Sequence, residues 1–138
     1  MTSWLIPANT EFYDVFAAFE CAETYWPMNA KVAPGDTIYI YLASPHKQIG
    51  FVCDVLGAGY RWADIRGAVL GFVKGNPDTE PTEKPFMKLA ARTHVPIDAG
   101  GALSLAKLRE NGLSGFLMGA RNLDNNPPLR TYIERAMA

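Results

Sequence analysis

Cysteine is scarce in this chain, with Cys21 and Cys53 the only two in 138 residues, and there is no CxxC pair. Two cysteines and two unclustered histidines cannot supply a zinc ligand set, so no metal is expected. The expectation instead is of buried thiols in a reducing compartment. Long apolar runs are also missing: none reaches the about 18 residues of a membrane span, and no secretory signal precedes the first apolar segment. These absences predict a soluble cytoplasmic domain with no membrane contact. Lys and Arg are absent from residues 1–30, which carry Glu11, Asp14, Glu20 and Glu23. The rest balances them, with thirteen basic and fourteen acidic residues giving a net charge of −1, so affinity for nucleic acid through bulk charge is not expected. No GxSxG elbow is present, His46 and His94 lie beside no nucleophile motif, and no paired carboxylates stand at useful spacing. Gly57-Ala58-Gly59 opens no helix, which excludes a doubly wound nucleotide fold.

What is present is an ordinary globular composition, 49% hydrophobic and 20% charged, in a length suited to one domain spanning 1–138. Trp4-Leu5-Ile6 reads as a strand stopped by Pro7. Asn9 or Thr10 caps a helix whose apolar stripe is Phe12, Val15, Phe16 and Phe19. Pro34-Gly35-Asp36 is turn chemistry. Residues 37–42 alternate, with Ile38, Ile40 and Leu42 on one face and Tyr39 and Tyr41 on the other. In the strand over 48–55, Ile49, Phe51, Cys53 and Val55 share a face until the glycines at 57 and 59 break it. Strands are predicted over 65–73 and 86–95, with a polar loop over 75–85 between them. A short helix near Leu103–Leu108 ends at Asn111-Gly112, and 116–119 reads as the last strand. Leu129, Tyr132, Ile133 and Ala136 mark a C-terminal helix after Asn126. The order predicts an α+β fold, a curved sheet or small barrel flanked by helices.

Aromatic and amide residues gather at predicted loop positions. Trp26 stands between a helix and a proline-bounded loop, Asn9 follows the first strand, and Tyr60-Arg61-Trp62 follows the glycine break. An aromatic face can stack on a nucleobase while an amide reads its polar edge. The same residues are also common as lids over a small core.

In this combination the chain resembles EVE-domain proteins of the PUA-like superfamily, relatives of YTH, ASCH and SRA-type domains. The matching blocks are Trp4-Leu5-Ile6-Pro7-Ala8-Asn9 with Tyr13-Asp14, then Trp26, then Gly35-Asp36-Thr37-Ile38-Tyr39-Ile40-Tyr41 with Ser44-Pro45 and Ile49. Leu108-Arg109-Glu110-Asn111-Gly112-Leu113 and Gly119-Ala120-Arg121-Asn122-Leu123 complete them in order along nearly the whole chain. The resemblance implies a PUA-like sheet closing toward a small barrel. It also implies a non-catalytic module, without a cofactor, that binds DNA or RNA carrying a modified base. A methylated or hydroxymethylated cytosine, or N6-methyladenine, would be flipped into an aromatic pocket.

Carried onto this sequence, the resemblance makes Trp26 a wall of the cage, with Asn9 and Asn29 reading the base edge. Leu42, Ala43, Ser44, Met118 and Gly119 line the remainder, and Pro7, Met28 and Trp62 are further candidates. His46, Lys47 and Arg121 would contact phosphates. Asn122 stands where the family often has a second basic residue, which predicts a weaker phosphate grip. Burial of a methyl group contributes about 0.8 kcal/mol, so sharper selectivity would need a pocket that penalises the unmodified base. Trp26→Ala is expected to abolish selective binding and leave the fold intact. Such a module could serve a nuclease or ATPase partner, on another chain or in a longer protein, as the specificity part of a restriction or defence system. Two alternatives stay open. One is a site for a free modified nucleoside. The other is an ASCH-like small amidohydrolase with Lys47 or Lys31 beside Asp36, Glu23 or Thr24.

Overall fold

The computed structural model describes residues 2–8, 23–28, 31–43, 46–61, 63–65, 85–98, 101–115, 117 and 119–137. The predicted helix after Asn9, Cys21, the loop over 75–84 and most of the strand predicted over 65–73 lie outside these residues. Residue 65, expected to begin that strand, is helical instead, as are 63 and 64.

The described strands form one curved, unclosed sheet with helices at its flank, the α+β architecture expected. In chain order they are β1 (Ser3–Ala8), β2 (Thr24–Pro27), β3 (Thr37–Leu42), β4 (Gln48–Tyr60), β5 (Phe86–His94) and β6 (Arg121–Asn122). Across the sheet they run β2-β5-β4-β3-β1-β6. β1 and β3 are parallel, and the other neighbouring pairs are antiparallel. Helix α1 (Leu105–Glu110) lies between β5 and β6, and α2 (Pro127–Met137) follows β6 after a 3-10 turn over Leu123–Asn125.

Both faces of the sheet are covered, which is why β3 is buried along nearly its whole length. One face carries Ile6, Ala8, Ile38, Ile40, Leu42, Phe51, Cys53 and Val55 with Trp26 and Met87. The other carries Leu5, Tyr39, Tyr41, Ile49 and Val52 against Leu108 of α1 and Leu129 and Ile133 of α2. Each large apolar side chain removed from water in this way contributes about 1.5–3 kcal/mol. Burial, with Asp54 alongside, pushes the Cys53 thiol pKa well up, so this thiol is inert.

The alternation of Ile38, Ile40 and Leu42 against Tyr39 and Tyr41 holds as read from the sequence. That of β4 does not. Ile40 pairs with Phe51 but Tyr41 pairs with Ile49, so Gly50 is an extra residue in the ladder. The bulge reverses the facing of everything before it and sends Ile49 to the helix-covered side. Glycine is required there, because a Cβ at position 50 would run into the Leu42 side chain. Gly57 and Gly59 likewise bulge the strand rather than end it, and β4 continues to Tyr60. A Cβ on Gly57 would lie 2.5 Å from the Tyr60 hydroxyl.

Pro7 does not stop β1, which runs on to Ala8. Among the described residues β6 pairs only with Trp4 and Leu5, which leaves that side of β1 beyond Leu5 with no strand partner, the setting in which a strand tolerates proline. The last strand is Arg121–Asn122 rather than 116–119, and Gly119 lies exposed ahead of it. Trp26 lies on β2 rather than in a loop.

The stop at Asn111-Gly112 and the start after Asn126 are as read, while α1 begins at Leu105 and not near Leu103. Ser104 caps α1 by accepting from the Lys107 N–H, and the helix ends with Leu113 N–H donating back to the Leu108 carbonyl around Gly112. Asn126 precedes α2 and accepts from the Leu129 N–H at 3.5 Å. Asp36 closes the Pro34-Gly35 turn through its N–H to the Ala33 carbonyl, with Gly35 at φ 94°, as a type II turn requires.

Candidate functional site

Parallel pairing of β1 with β3 sets the site. Its register aligns Pro7 with Tyr41 and Ala8 with Leu42, so both strands finish at the same level. Asn9 and Ser44, the next residue in one case and the next but one in the other, lie outside the described residues, as do Asn29, Trp62 and Met118.

Beyond Leu42 the chain turns sharply. The Ala43 carbonyl accepts from His46 N–H at 3.2 Å and Lys47 N–H at 3.4 Å, and the Lys47 carbonyl accepts from Leu105 N–H at 2.8 Å. Among the described residues other than glycine, Lys47 alone has positive φ, at 50°. That conformation costs on the order of 1 kcal/mol for a residue with a Cβ. The hydrogen bonds on either side hold it there and leave the Lys47 side chain exposed beside half-buried His46 and Ala43. Gln48, 2% exposed, braces the turn by donating to the Pro96 carbonyl and accepting from the Asp98 N–H. Behind the turn, burial pushes the Tyr41 hydroxyl pKa up while Arg109 pulls it back.

The opposite end of the parallel pair is closed. Asp36, 5% exposed, accepts from Thr2 N–H at 2.9 Å, from the Trp4 indole N–H at 3.1 Å and from Ala33 N–H at 3.0 Å. Burial alone would raise its pKa, but these donors outweigh it and hold the carboxyl below its usual value.

The structure therefore brings Pro7, Leu42, Ala43, His46 and Lys47 to one end of the sheet. Gly119 lies exposed, two residues ahead of β6. Other expected site residues are placed elsewhere. Leu42 is fully buried, its side chain part of the core. Trp26 lies across the sheet on β2, opposite Met87, and at 3% exposure belongs to the same apolar cluster as Ala8 and Leu42. Met28 is fastened to the far end of β4, its sulfur accepting from Gly59 N–H. Arg121 sits halfway along β1, paired with Leu5, and donates to the Ser114 carbonyl at 3.1 Å. There it lines a separate cavity with Asn122, Asn125 and Asn126. Sequence reasoning missed that amide group, although three asparagines within five residues were the available signal. Among the described residues no group of three His, Cys, Asp or Glu is placed to hold a metal, and no helix is long and apolar enough to cross a membrane.

No family model and no curated protein matches the chain. Solved structures do. ASCH from Zymomonas mobilis is 16% identical with a TM-score of 0.63, covering 96% of this chain and 94% of that one. A protein from Pseudomonas putida is 16% identical at a TM-score of 0.61, covering 99% of each. A hypothetical protein from Leishmania major is 10% identical at 0.58, covering 98% of this chain and 96% of that one. The fold is thus shared with ASCH from Zymomonas mobilis, a PUA-like architecture of curved sheet and flanking helices. The fold expected from the sequence holds, while the structural likeness is to an ASCH protein and not specifically to EVE domains.

Proposed function

We propose that the chain is a non-catalytic nucleic-acid-binding module of EVE-like character that reads a modified base in DNA or RNA. The base is a methylated or hydroxymethylated cytosine or N6-methyladenine, taken at the carboxyl ends of β1 and β3. The observation that carries this reading is Lys47, an exposed cation held in a strained backbone conformation where two parallel strands end together. Strain of this kind persists where the surrounding structure over-determines it, and it gathers at binding sites. Lys47 and His46 supply phosphate contacts at the mouth, while Asn9 and Ser44 are the polar residues that follow the two strands in sequence. Trp26 belongs to the apolar cluster behind Ala8 and Leu42, so a flipped base meets it only where that cluster gives way. Such a module suits a nuclease or translocating ATPase partner as its specificity part.

The amidohydrolase alternative gains no comparable support. Glu23 is engaged by Lys88 at 2.9 Å, and Asp36 is engaged by three donors at the other end of the pair.

The test is fluorescence anisotropy at one moderate salt concentration. The ligands are labelled single- and double-stranded DNA and RNA carrying cytosine, 5-methylcytosine, 5-hydroxymethylcytosine, adenine or N6-methyladenine. Binding that depends on the modification and is lost in Lys47→Glu is expected. Uniform weak binding that disappears with salt would reduce the reading to phosphate contact and overturn it.

A further inference from the structure

Residues 43–47 link Leu42 of β3 to Gln48 of β4, and those two residues pair with each other. Lys47, the last of the link, takes the left-handed position that glycine ordinarily fills where an i to i+4 turn ends. Pairing with Leu42 directs only one side of Gln48. Its other side is met by the segment over 95–105, which leaves β5 and crosses the sheet end on its way into α1. Leu105 N–H donates to the Lys47 carbonyl at 2.8 Å, Ile49 N–H donates to the Leu103 carbonyl at 3.0 Å, and Gln48 bridges to Ser104. The Lys47 N–H is already held by the Ala43 carbonyl. With both backbone polar groups of Lys47 directed, its φ and ψ have little freedom.

The first part of the crossing segment is not secured by packing. Pro96, Ile97 and Asp98 are exposed, Ile97 by 50%, so apolar burial contributes little there. Behind the segment lies a cavity of about 210 Å³, bounded by Gln48 on one side and by Ala136 of α2 on another, which gives the segment room to shift. The Gln48 side chain ties it down. Its Nε2 donates to the Pro96 carbonyl at 2.9 Å and its Oε1 accepts from Asp98 N–H at 2.8 Å. Gln48 is 2% exposed, so these bonds are made largely out of water, where losing them leaves polar groups unpaired. Further along, the Tyr132 hydroxyl of α2 donates to the Ala102 carbonyl at 2.6 Å and anchors the same segment from behind.

We propose that Gln48 is the positioning residue of the binding turn. By latching residues 96–98 across the sheet end, it holds Lys47 in the left-handed conformation that presents its side chain to a phosphate. The proposal rests on the base-reading function and adds how the cation of that site is set. Gln48 has almost no surface to offer a ligand and acts through Lys47. Left-handed backbone is unfavourable for a lysine, so the turn relaxes when the latch is lost. Affinity then follows the fraction of molecules in which Lys47 is left-handed.

The experiment compares the isotope-labelled full chain with its Gln48→Met and Tyr132→Phe variants. NMR carbon shifts of Lys47, and the coupling between its amide and α protons, report its backbone conformation in folded molecules, which general destabilisation does not move. Anisotropy measures binding of short single-stranded DNA carrying 5-methylcytosine or N6-methyladenine, beside unmodified controls. Gln48→Met keeps nearly the same side-chain length and loses both latch bonds. It should move the Lys47 signals away from left-handed values and weaken the preferred modified strand about fivefold. Tyr132→Phe removes only the hydroxyl contact at Ala102. It should move the same signals in the same direction with about twofold weaker binding, and it carries the test if Gln48→Met does not fold. Lys47 signals that stay left-handed in the folded variants would overturn the proposal. So would moved signals with the modification-dependent affinity unchanged. If the Lys47 signals move while no strand shows modification dependence even in the unmutated chain, the base-reading function falls and the latch stands. Modification-dependent binding with unmoved Lys47 signals does the reverse.

Discussion

The two ends of the β1–β3 pair are built on opposite principles. At the amino end a buried carboxylate gathers three donors from two parts of the chain and satisfies all of them. At the carboxyl end β1 outruns its neighbour β6, a proline sits in the strand, and an exposed lysine is held in a left-handed conformation. One end is organised for stability and the other tolerates strain. The contrast supports the proposal that the carboxyl end is the binding end, since local stability given up in a fold is commonly given up at its sites.

The largest effect tests where the boundary between core and site falls. Trp26 is in the core, so the expectation that Trp26→Ala leaves the fold intact is corrected: the variant should lose about 3–5 kcal/mol in urea unfolding. A loss below about 1 kcal/mol would show that the indole is not packed as described and would return it to the binding wall. Next comes the closed end. Asp36→Asn places an NH₂ among donors and should cost about 2–4 kcal/mol. The sign of its pH dependence follows from the lowered folded pKa. The stabilisation is fully present above the ordinary carboxyl value and is lost as pH falls through the lowered folded value. The gap between wild type and variant should therefore narrow in acid, and a gap independent of pH would exclude the carboxylate as its origin. The smallest effect sharpens the open end. Lys47→Gly relieves the left-handed backbone and should raise stability by up to about 1 kcal/mol while weakening oligonucleotide binding. Loss of stability in that variant would mean that the lysine side chain, not the backbone, holds the turn.

Much of this was legible in the sequence because it is decided within a few residues. The cap at Asn126, the reversal at Gly112, the Pro34-Gly35 turn and the alternation of β3 depend on neighbours along the chain, and they fold as read. Pro7 and the glycines of β4 misled for a shared reason. Each is a strand breaker locally, and each is accommodated here by sheet position or close packing that a linear pattern does not contain. Trp26 looked like a loop residue because Pro27 follows it, yet pairing with β5 makes the segment a strand and turns the indole inward.

The candidate site divides along the same line. Lys47 and His46 could be named from the sequence, but nothing there gave the positive φ at Lys47 or placed the turn level with Ala8. Arg121 could be named too, while its separation from Lys47 and its partnership with Asn122 and Asn125 could not. By itself the sequence determined many local conformations, the absence of cysteine-based metal motifs and the α+β class of the fold, because these rest on short-range sterics and recurring residue patterns. Only the tertiary structure decided that β1 lies parallel to β3 across more than thirty residues of chain, that Gly50 reverses the facing of Ile49, and that three asparagines meet an arginine at one cavity. Those outcomes follow from how side-chain volumes from distant segments fill shared space, a condition that no single stretch of sequence satisfies alone.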